Sequence, residues 1–259
     1  MTHSKDLYLA ERRKEILKRI EHTGRTSVAD LSQQLGVSGV TIRTDLQALA
    51  EQNLIIRTHG GAIPAGGGQY DLALARRRQQ QAREKLRIGR ACAAMINDGE
   101  AIFLDSSSTT LTVVPHLKTY RYLTVVTNSL AVAQELREAD GVRVVLTGGT
   151  LRRETDSLLG TEGLDLLRRF NIRTGIFGAH GISLPEGLTD VSVEEAEVKQ
   201  VLVGMCRQVI AALDVTKWGR VGLASFARLD EIDRVITDAQ APANLIAQVR
   251  AVGVEVEVV

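Results

Sequence analysis

Short β-rich runs alternate with helix-forming segments from residue 100 onward, and this alternation constrains the fold most strongly. The runs are AIFLD, LTVVTN, VRVVLTGG, TGIFGAHG, VIAALD, RVITD and VEVEVV. Strands that alternate with helices along a chain form mainly parallel sheets covered by helices on both faces. The sequence therefore predicts a mainly parallel α/β domain.

Polar or glycine-rich clusters follow almost every one of these runs. They are 105–110, 127–129, 147–150, 178–181 and 214–217. The carboxyl ends of parallel strands meet at one edge of a sheet, where open α/β folds bind ligands. We therefore expect one pocket assembled from several of these loops.

Three helical patterns precede this region. The first, RRKEILKRIEHTG, ends at Gly24, and the second, TSVADLSQQLG, is bracketed by Ser27 as N-cap and Gly36 as stop signal. After a short turn, Ser38 caps a third helix. Two helices joined by a short turn, with a third before them, are typical of a helix-turn-helix.

The third helix buries Ile42, Leu46 and Leu49, which turns its other residues outward or to its exposed amino end. These residues are Ser38, Gly39, Val40, Thr41, Arg43, Thr44 and Gln47. Arginine can donate two hydrogen bonds to guanine in the major groove, and threonine and glutamine can reach base edges or phosphates. The outward face is therefore predicted to bind DNA.

The run LIIRTHGGAI, after the third helix, predicts a β-hairpin wing. Its turn is expected at Gly60 and Gly61, with Arg57 and His59 beside the DNA groove. This pattern is that of a winged helix-turn-helix. The alternative is a small helical bundle whose polar face is merely solvated.

The segment PAGGGQY, which starts at Pro64, has no periodicity and predicts a hinge. We therefore expect a DNA-binding domain over 1–63, a hinge over 64–75 and an α/β domain over 76–259. Net charge is only +1, yet residues 64–90 carry seven Lys or Arg against two Asp or Glu. The helix in this basic stretch is expected to bury Leu86, Ala93 and Ile96, either as a charged cover of the second domain or as an arm that contacts DNA.

Neither the cysteines nor the apolar runs indicate a metal site or a membrane span. Cys92 and Cys206 have no CxxC spacing and no nearby histidine, so we predict buried thiols, no metal and no cofactor. No apolar run approaches the roughly 20 residues that cross a bilayer. We expect a cytoplasmic protein.

The run FLDSSSTTLTVV is a candidate anion site. It follows a predicted strand, so its backbone N–H groups and the hydroxyls after Asp105 can surround a phosphate at a helix amino end. The hydroxyl residues are Ser106, Ser107, Ser108, Thr109 and Thr110. In the simpler alternative one hydroxyl caps the helix and the others face solvent. For Thr127 and Asn128 in the next loop, ordinary helix capping is the corresponding alternative.

The segment TSVADLSQQLGVSGVTIRTDLQALAEQNLIIRTHGGAI resembles the DNA-binding domain of the DeoR family of bacterial sugar-catabolism regulators. The resemblance continues through DGEAIFLDSSSTT, VVLTGGTLRR, FGAHGISLPEGLTD, EEAEVK and LDVTKWG. It covers nearly the whole chain. Many members carry a second arginine where Thr44 stands, glycine where Ser107 stands and asparagine where Gln81 stands.

The resemblance implies a sensor domain similar to ribose-5-phosphate isomerase, with a phosphorylated sugar or polyol as effector. It places Gly148, Gly149, Glu195, Lys199 and Lys217 with the hydroxyl loop in the effector pocket. By spacing alone, Glu195 and Lys199 would be an exposed ion pair on one helical face.

We therefore expect a transcriptional repressor of a sugar or polyol catabolic operon. Its partners would be operator double-stranded DNA, a phosphorylated effector and further copies of itself, as a dimer or tetramer. The alternative is a sugar-phosphate isomerase tethered to DNA, with Asp105, Glu195 and Lys199 as candidate bases. Because fold kinship does not carry activity, we expect no enzyme.

Overall fold

The structure, a computed structural model, describes residues 9–23, 26–51, 54–58, 60–64 and 74–259. The chain divides into two units, Met1–Leu72 and Ala73–Val259. This division falls inside the segment 64–75 that the sequence predicts as a hinge, of which 65–73 lie outside the described residues. At the two ends of that segment, Pro64 ends a strand and Leu74 begins a helix.

Three helices open the first unit, namely α1 (Leu9–Thr23), α2 (Val28–Leu35) and α3 (Gly39–Glu51). The predicted N-caps are present, because Ser27 Oγ accepts from Asp30 N at 3.0 Å and Ser38 Oγ accepts from Thr41 N at 3.1 Å. Gly36 follows α2 with a φ of 67°, which glycine adopts without steric cost. The helix boundaries therefore follow from the local sequence.

A small apolar core joins the three helices to the strands that follow. Its buried members are Ile16, Ile20, Leu31, Ile42, Leu46, Leu49, Ile55 and Ala62. On the inner side of α3, the buried carboxylate of Asp45 accepts from Arg12 Nε at 2.6 Å and from Arg13 Nε at 3.0 Å. A buried charge is tolerated when it is paired in this way, and the two ion pairs fasten α3 to α1.

The predicted wing forms as β2 (Ile55–Thr58) and β3 (Gly61–Pro64), and β1 (Thr26–Ser27) adds a third strand beside β3. Gly61 was expected in the turn, but it lies in β3 opposite Thr58. A Cβ at Gly61 would lie 1.9 Å from the carbonyl oxygen of Thr26. Glycine is needed here because β1 approaches the backbone of β3, not because the chain turns.

All seven β-rich runs become strands of one parallel sheet in the second unit. In sheet order these are β15 (Glu255–Val258), β14 (Arg234–Thr237), β12 (Cys206–Leu213), β9 (Ile172–Phe177), β4 (Ala101–Leu104), β5 (Leu123–Thr127) and β6 (Val142–Leu146). Every pairing between neighbours in this sheet is parallel. The predicted fold class is thereby confirmed.

Helices cover both faces of this sheet. They are α4 (Leu74–Gln79), α5 (Ala82–Ala93), α6 (Val114–Leu117), α7 (Leu130–Leu136), α8 (Val193–Val203) and α9 (Ala243–Ala251). Successive strand residues point to opposite faces, so Phe103 and Phe177 pack in one core with α8 and α9, whereas Ile102 and Ile176 pack in another with α5, α6 and α7. The sheet is therefore buried on both sides.

Two small antiparallel groups extend from the carboxyl edge of the sheet. One pairs β7 (Thr150–Arg152) with β8 (Ser157–Leu159), and the other joins β10 (Gly181–Ser183), β11 (Gly187–Asp190) and β13 (Ala224–Ala227). The sequence did not predict these strands. They add backbone and side chains above the loops where a ligand was expected.

The basic helix does not bury the face that was predicted. Ala93 and Ile96 are buried, but Leu86 is 54% exposed, so its predicted burial is wrong. The inner face of α5 instead contains Lys85 and Gly89, where a Cβ would lie 2.2 Å from Thr112 Oγ1. This close approach sets the rotation of α5 and turns Leu86 outward.

Within the described residues, no helix is both long and apolar enough to cross a membrane. Cys92 is buried and Cys206 is half-buried, and both thiols are free. Burial raises the pKa of each thiol to about 12. Both therefore stay protonated near neutral pH, as expected of packed rather than reactive thiols.

Candidate functional site

The outward face of α3 has the composition predicted for DNA reading. Ser38, Val40, Arg43, Thr44 and Gln47 are exposed, and Val40 is 71% exposed. Gly39 and Thr41 at the amino end are half-buried. An apolar side chain this exposed on a reading helix can contact a thymine methyl group.

Polar groups on this face differ in how far they are engaged within the protein. The hydroxyl of Thr44 donates to the carbonyl of Val40 at 3.1 Å, and that of Ser38 caps the helix. By contrast, Arg43 makes no hydrogen bond or ion pair with any other described residue. Its guanidinium is the group on α3 best placed to read a base.

The wing is connected to the reading helix. Arg57 on β2 is exposed and donates from Nη1 to Oε1 of Gln47 at 2.5 Å. Two residues that the sequence assigned separately to DNA binding are therefore in contact. His59 lies outside the described residues.

In the second unit, the candidate pocket is organised around the buried carboxylate of Asp105. This group accepts from Ser107 N at 2.9 Å, Thr110 Oγ1 at 2.7 Å and Gly178 N at 2.9 Å. It also lies 2.9 Å from Lys199 Nζ. With both oxygens engaged, Asp105 ties the loop after β4 to the loop after β9.

Lys199 on α8 is the cation of this network. Its ammonium lies 2.7 Å from Asp190 Oδ2, 2.9 Å from Asp105 Oδ2 and 2.9 Å from the carbonyl oxygen of Gly178. Burial alone would lower its pKa, but the carboxylates of Asp105 and Asp190 raise it above the ordinary value. Two hydrogen bonds and one further ion pair therefore engage this ammonium, and the lysine holds the loops together.

The expected exposed pair between Glu195 and Lys199 is not what forms, because both side chains are buried. Glu195 Oε1 accepts from Ser157 Oγ at 3.3 Å and lies 3.7 Å from Arg152 Nη1. Burial raises the pKa of Glu195, and the charge of Asp190 raises it further. The exposed pair was the alternative given by spacing alone, and it does not form because α8 packs this face against the sheet instead of presenting it to solvent.

The hydroxyl loop divides into inner and outer groups. Ser107 Oγ accepts from Thr110 N at 3.1 Å, and the fully buried hydroxyl of Thr110 donates to Asp105. In contrast, the side-chain oxygens and backbone N–H groups of Ser106, Ser108 and Thr109 make no hydrogen bond with other described residues. Two hydroxyls thus shape the loop and three residues keep free donors.

The loop after β5 combines capping with one unsatisfied group. Thr127 Oγ1 donates to Leu104 O at 2.7 Å, and Ser129 caps α7 by accepting from Val132 N at 3.3 Å. Oδ1 of Asn128 is buried without a partner in the described part of the chain. Because buried polar groups are normally satisfied, Asn128 is the residue of this loop that a ligand would complete.

Gly148 and Gly149 shape the turn between β6 and β7. Their φ angles are 77° and 106°, and a Cβ at Gly149 would lie 2.0 Å from the carbonyl oxygen of Leu159. Both features exclude other residues. The pair lets the hairpin of β7 and β8 come close to the sheet edge.

Lys217 follows β12 at the same edge and is half-buried. Burial lowers its pKa, and the charges of Arg220 and Arg77 lower it further against the attraction of Asp214. His180 is affected in the same way, since burial and the charge of Lys217 lower its pKa to about 4. This part of the edge is therefore rich in positive charge.

Sequence reasoning missed Arg77, Arg152 and Asp190. Asp190 carried a usable signal, since it ends the run GLTD just as Asp105 ends AIFLD. The arginines carried none, because nothing local distinguishes a buried arginine from its solvated neighbours. No group of three or more His, Cys, Asp or Glu side chains that could hold a metal occurs among the described residues.

A helix-turn-helix unit followed by an α/β unit with a polar loop edge defines a DNA-binding transcriptional regulator with a sensor domain. The chain belongs to the DeoR family. The DeoR C terminal sensor domain matches residues 80–239, and the DeoR-like helix-turn-helix domain matches residues 12–65. The resemblance found in the sequence is thereby confirmed.

Similar proteins are themselves named as regulators. The chain is 34% identical to the HTH-type transcriptional regulator GlpR of Haloferax volcanii, over 95% of this chain and 96% of that protein. It is 33% identical to the glycerol-3-phosphate regulon repressor of Escherichia coli, over 91% and 93%. These relatives confirm that the chain is a regulator and not an enzyme.

Solved structures that are similar to part of this chain include ribose 5-phosphate isomerase A from Methanocaldococcus jannaschii. That protein is 12% identical to this chain, with a TM-score of 0.40 over 54% of this chain and 55% of that one. At this level the likeness gives no information on activity.

Proposed function

We propose that the protein represses a sugar or polyol catabolic operon and that a phosphorylated intermediate, bound in the second unit, releases it from operator DNA. The observation that carries this proposal is the set of free donors at Ser106, Ser108 and Thr109. These groups lie at the carboxyl edge of a parallel sheet, where such folds bind ligands. Backbone N–H groups and hydroxyls of this kind suit a phosphate.

The DNA-reading surface in this proposal is the outward face of α3 with the wing. Arg43 and Val40 read base edges, Gln47 is positioned by Arg57, and Ser38, Gly39, Thr41 and Thr44 lie at or near the phosphates. One such helix reads only a few base pairs, so useful specificity requires at least a dimer on half-sites about one helical turn, or a multiple, apart. The protein then acts in the cytoplasm, where its operator is.

The effector pocket is divided between ligand contacts and support. Ser106, Ser108, Thr109, Asn128 and Lys217 are assigned to direct contact. The positioning residues are Asp105, Ser107, Thr110, Thr127, Gly148, Gly149, Glu195 and Lys199, whose polar groups or backbone already hold the loops together. Because one similar protein is named as a glycerol-3-phosphate regulon repressor, a small phosphorylated polyol is the first effector to test.

The isomerase alternative finds no support in this geometry. A general base must be free to take a proton from the substrate. Asp105 already accepts three hydrogen bonds and lies 2.9 Å from the ammonium of Lys199, which itself donates two hydrogen bonds. Glu195 accepts from Ser157 Oγ and lies 3.7 Å from Arg152 Nη1. These groups hold the pocket in shape.

The test compares a double substitution in the hydroxyl loop with a control substitution outside that loop. Replacing Ser108 and Thr109 by alanine should weaken effector-induced release by about tenfold or more, because hydrogen bonds to a charged group are lost. Operator binding without effector should stay near wild type. Ser225→Ala, at an exposed position on β13, is the control.

Fluorescence anisotropy with labelled operator DNA measures release by glycerol 3-phosphate and ribose 5-phosphate beside glycerol and ribose. Linkage requires that effector and DNA weaken each other by the same factor, typically about 5–150-fold. Equal release by the unphosphorylated compounds would show that the phosphate assignment is wrong. Tighter operator binding with effector would reverse the proposed direction of the response.

A further inference from the structure

Arg77 has buried donors without a partner. It lies on α4, the first helix of the second unit, and its Nε and Nη2 atoms are buried and make no hydrogen bond with described residues. The neighbouring Arg78 is different, since it is exposed and pairs with Glu135 at 3.2 Å. Buried guanidinium hydrogens are costly to leave unmatched, so Arg77 requires a ligand-based or structural explanation.

The charge of Arg77 acts on two carboxylates, those of Asp190 and Glu195, and both already have other partners. Asp190 holds Lys199 at 2.7 Å, and Glu195 accepts from Ser157 at 3.3 Å and faces Arg152 at 3.7 Å. Around the same guanidinium are further cations. Burial lowers the pKa of Lys85 to about 8, and the positive charges of Lys217 and Arg77 contribute to that shift.

Arg77 therefore has buried donors but no anionic partner among the described residues. Its planar group presents two parallel N–H donors, which match the oxygens of a phosphate better than those of a neutral hydroxyl. Lys85 and Lys217 raise the local positive potential and also favour a phosphate. The free donors therefore point to a charged oxygen ligand.

We propose that Arg77 binds the phosphate of the effector and that this contact transmits effector binding to the hinge. The proposal rests on the proposed function, because it names a further ligand for the same phosphorylated effector. Arg77 is suited to this role by position as well as by charge. Its helix begins at Leu74, at the carboxyl end of the segment 64–75 predicted as a hinge.

The α4 helix is too short to be stable by itself. It has six residues, and isolated helices shorter than about 12 residues are marginal in water. It is attached by Leu74 N to Glu154 O at 3.2 Å, by Arg78 to Glu135, and by Lys85 Nζ to the carbonyl of Arg77 at 2.7 Å. A phosphate on the guanidinium would add a further attachment, so effector binding would hold α4 more firmly.

The test uses the full-length protein and compares Arg77→Met with Arg78→Met. Glycerol 3-phosphate, ribose 5-phosphate and inorganic phosphate are titrated by calorimetry. Arg77→Met should weaken binding of the two phosphosugars by about 10- to 100-fold, since charge-assisted hydrogen bonds are lost. Arg78→Met should bind like wild type. The affinity of Arg77→Lys should lie between those of Arg77→Met and Arg78→Met, because lysine keeps the charge but lacks the planar pair of donors.

Two further readouts separate ligand binding from a structural role. The Tm of Arg77→Met without ligand should equal or exceed that of wild type, because an unpartnered buried charge is removed. Amide exchange of residues 74–79 should slow on adding phosphosugar to wild type and Arg78→Met but not to Arg77→Met. A lower Tm in ligand-free Arg77→Met would assign the residue to packing and overturn the proposal.

The failures of the two proposals can be distinguished. If wild type binds neither phosphosugar, the effector assignment itself is wrong. If wild type, Arg78→Met and Arg77→Met bind with the same affinity, the pocket is a phosphosugar site but Arg77 is not part of it. Unchanged exchange of 74–79 in wild type, despite binding, would overturn the link to the hinge.

Discussion

The reading face of α3 and the loop edge of the parallel sheet use polar residues in opposite ways. On α3 the reading side chains are exposed, and Arg43 makes no hydrogen bond or ion pair with another described residue. At the sheet edge, Asp105, Asp190 and Lys199 are buried and bonded to one another. Removing a side chain from an exposed face changes the free energy of unfolding little. Removing one member of a buried charge network leaves a buried charge without its partner and destabilises the fold.

The largest effect is expected from Lys199→Met. This change leaves two buried carboxylates without their cation, which costs about 3–5 kcal/mol in the free energy of unfolding. Urea denaturation measures it. Lys217→Met is the matched control, because that half-buried lysine has its pKa lowered and not raised, so its loss should change stability little.

The pH dependence of the same variant sharpens the comparison. In wild type, attraction to Lys199 outweighs burial and lowers the pKa of Asp190 below 3.8. Its contribution is therefore present above pH 3.8 and is lost as pH falls through the depressed pKa of the folded state. Without the lysine, burial raises the pKa of Asp190, so the stability deficit of Lys199→Met should narrow between pH 7 and pH 5. A constant deficit over that range would contradict the network.

A smaller effect, and on DNA affinity instead of stability, is expected from Arg43→Ala. Loss of a bidentate contact to guanine should cost about 1–3 kcal/mol on the cognate site and relax discrimination at one base pair. Selection from a random DNA pool, followed by anisotropy, measures both. The free energy of unfolding should stay within about 0.5 kcal/mol of wild type, as is usual for a surface change. Unchanged base preference would remove Arg43 from the reading face.

The smallest effect is expected from the contact between Arg57 and Gln47. Because both side chains are exposed, their coupling in a double-mutant cycle on unfolding should be about 0.2–1 kcal/mol. On DNA, Arg57→Ala should weaken all sequences alike and lower the salt slope by about one unit if it meets phosphate. A sequence-dependent loss would instead show that Arg57 acts by orienting Gln47.

Local signals in the sequence were sufficient for much of the fold. Ser27, Gly36 and Ser38 marked helix ends because caps and left-handed turns depend on neighbouring residues only. The seven β-rich runs marked the parallel sheet because they are rich in β-branched residues and alternate with helical segments. The strands β7, β8, β10, β11 and β13 were missed because each contains at most one β-branched or aromatic residue, the types that mark a strand in a sequence.

The sheet-edge site was only partly predictable. The hydroxyl loop was located correctly because it follows a strand, but its division into inner and outer hydroxyls depends on Asp105, whose other partners come from distant loops. Leu86 was misplaced and Arg77 overlooked for a related reason. Burial within a basic helix is decided by what packs against it, and here Gly89 and Thr112 set the rotation of α5.

The buried ion pairs of Asp45 with Arg12 and Arg13 have a consequence for how this regulator can evolve. They hold α3 from behind, so the reading residues on its other side do not support the helix. Substitutions at Val40, Arg43 and Thr44 can therefore change the preferred DNA sequence without disturbing the ion pairs that join α3 to α1. Diversification of target sites within a lineage should accumulate on that face, whereas Asp45 and its two arginines should change only together.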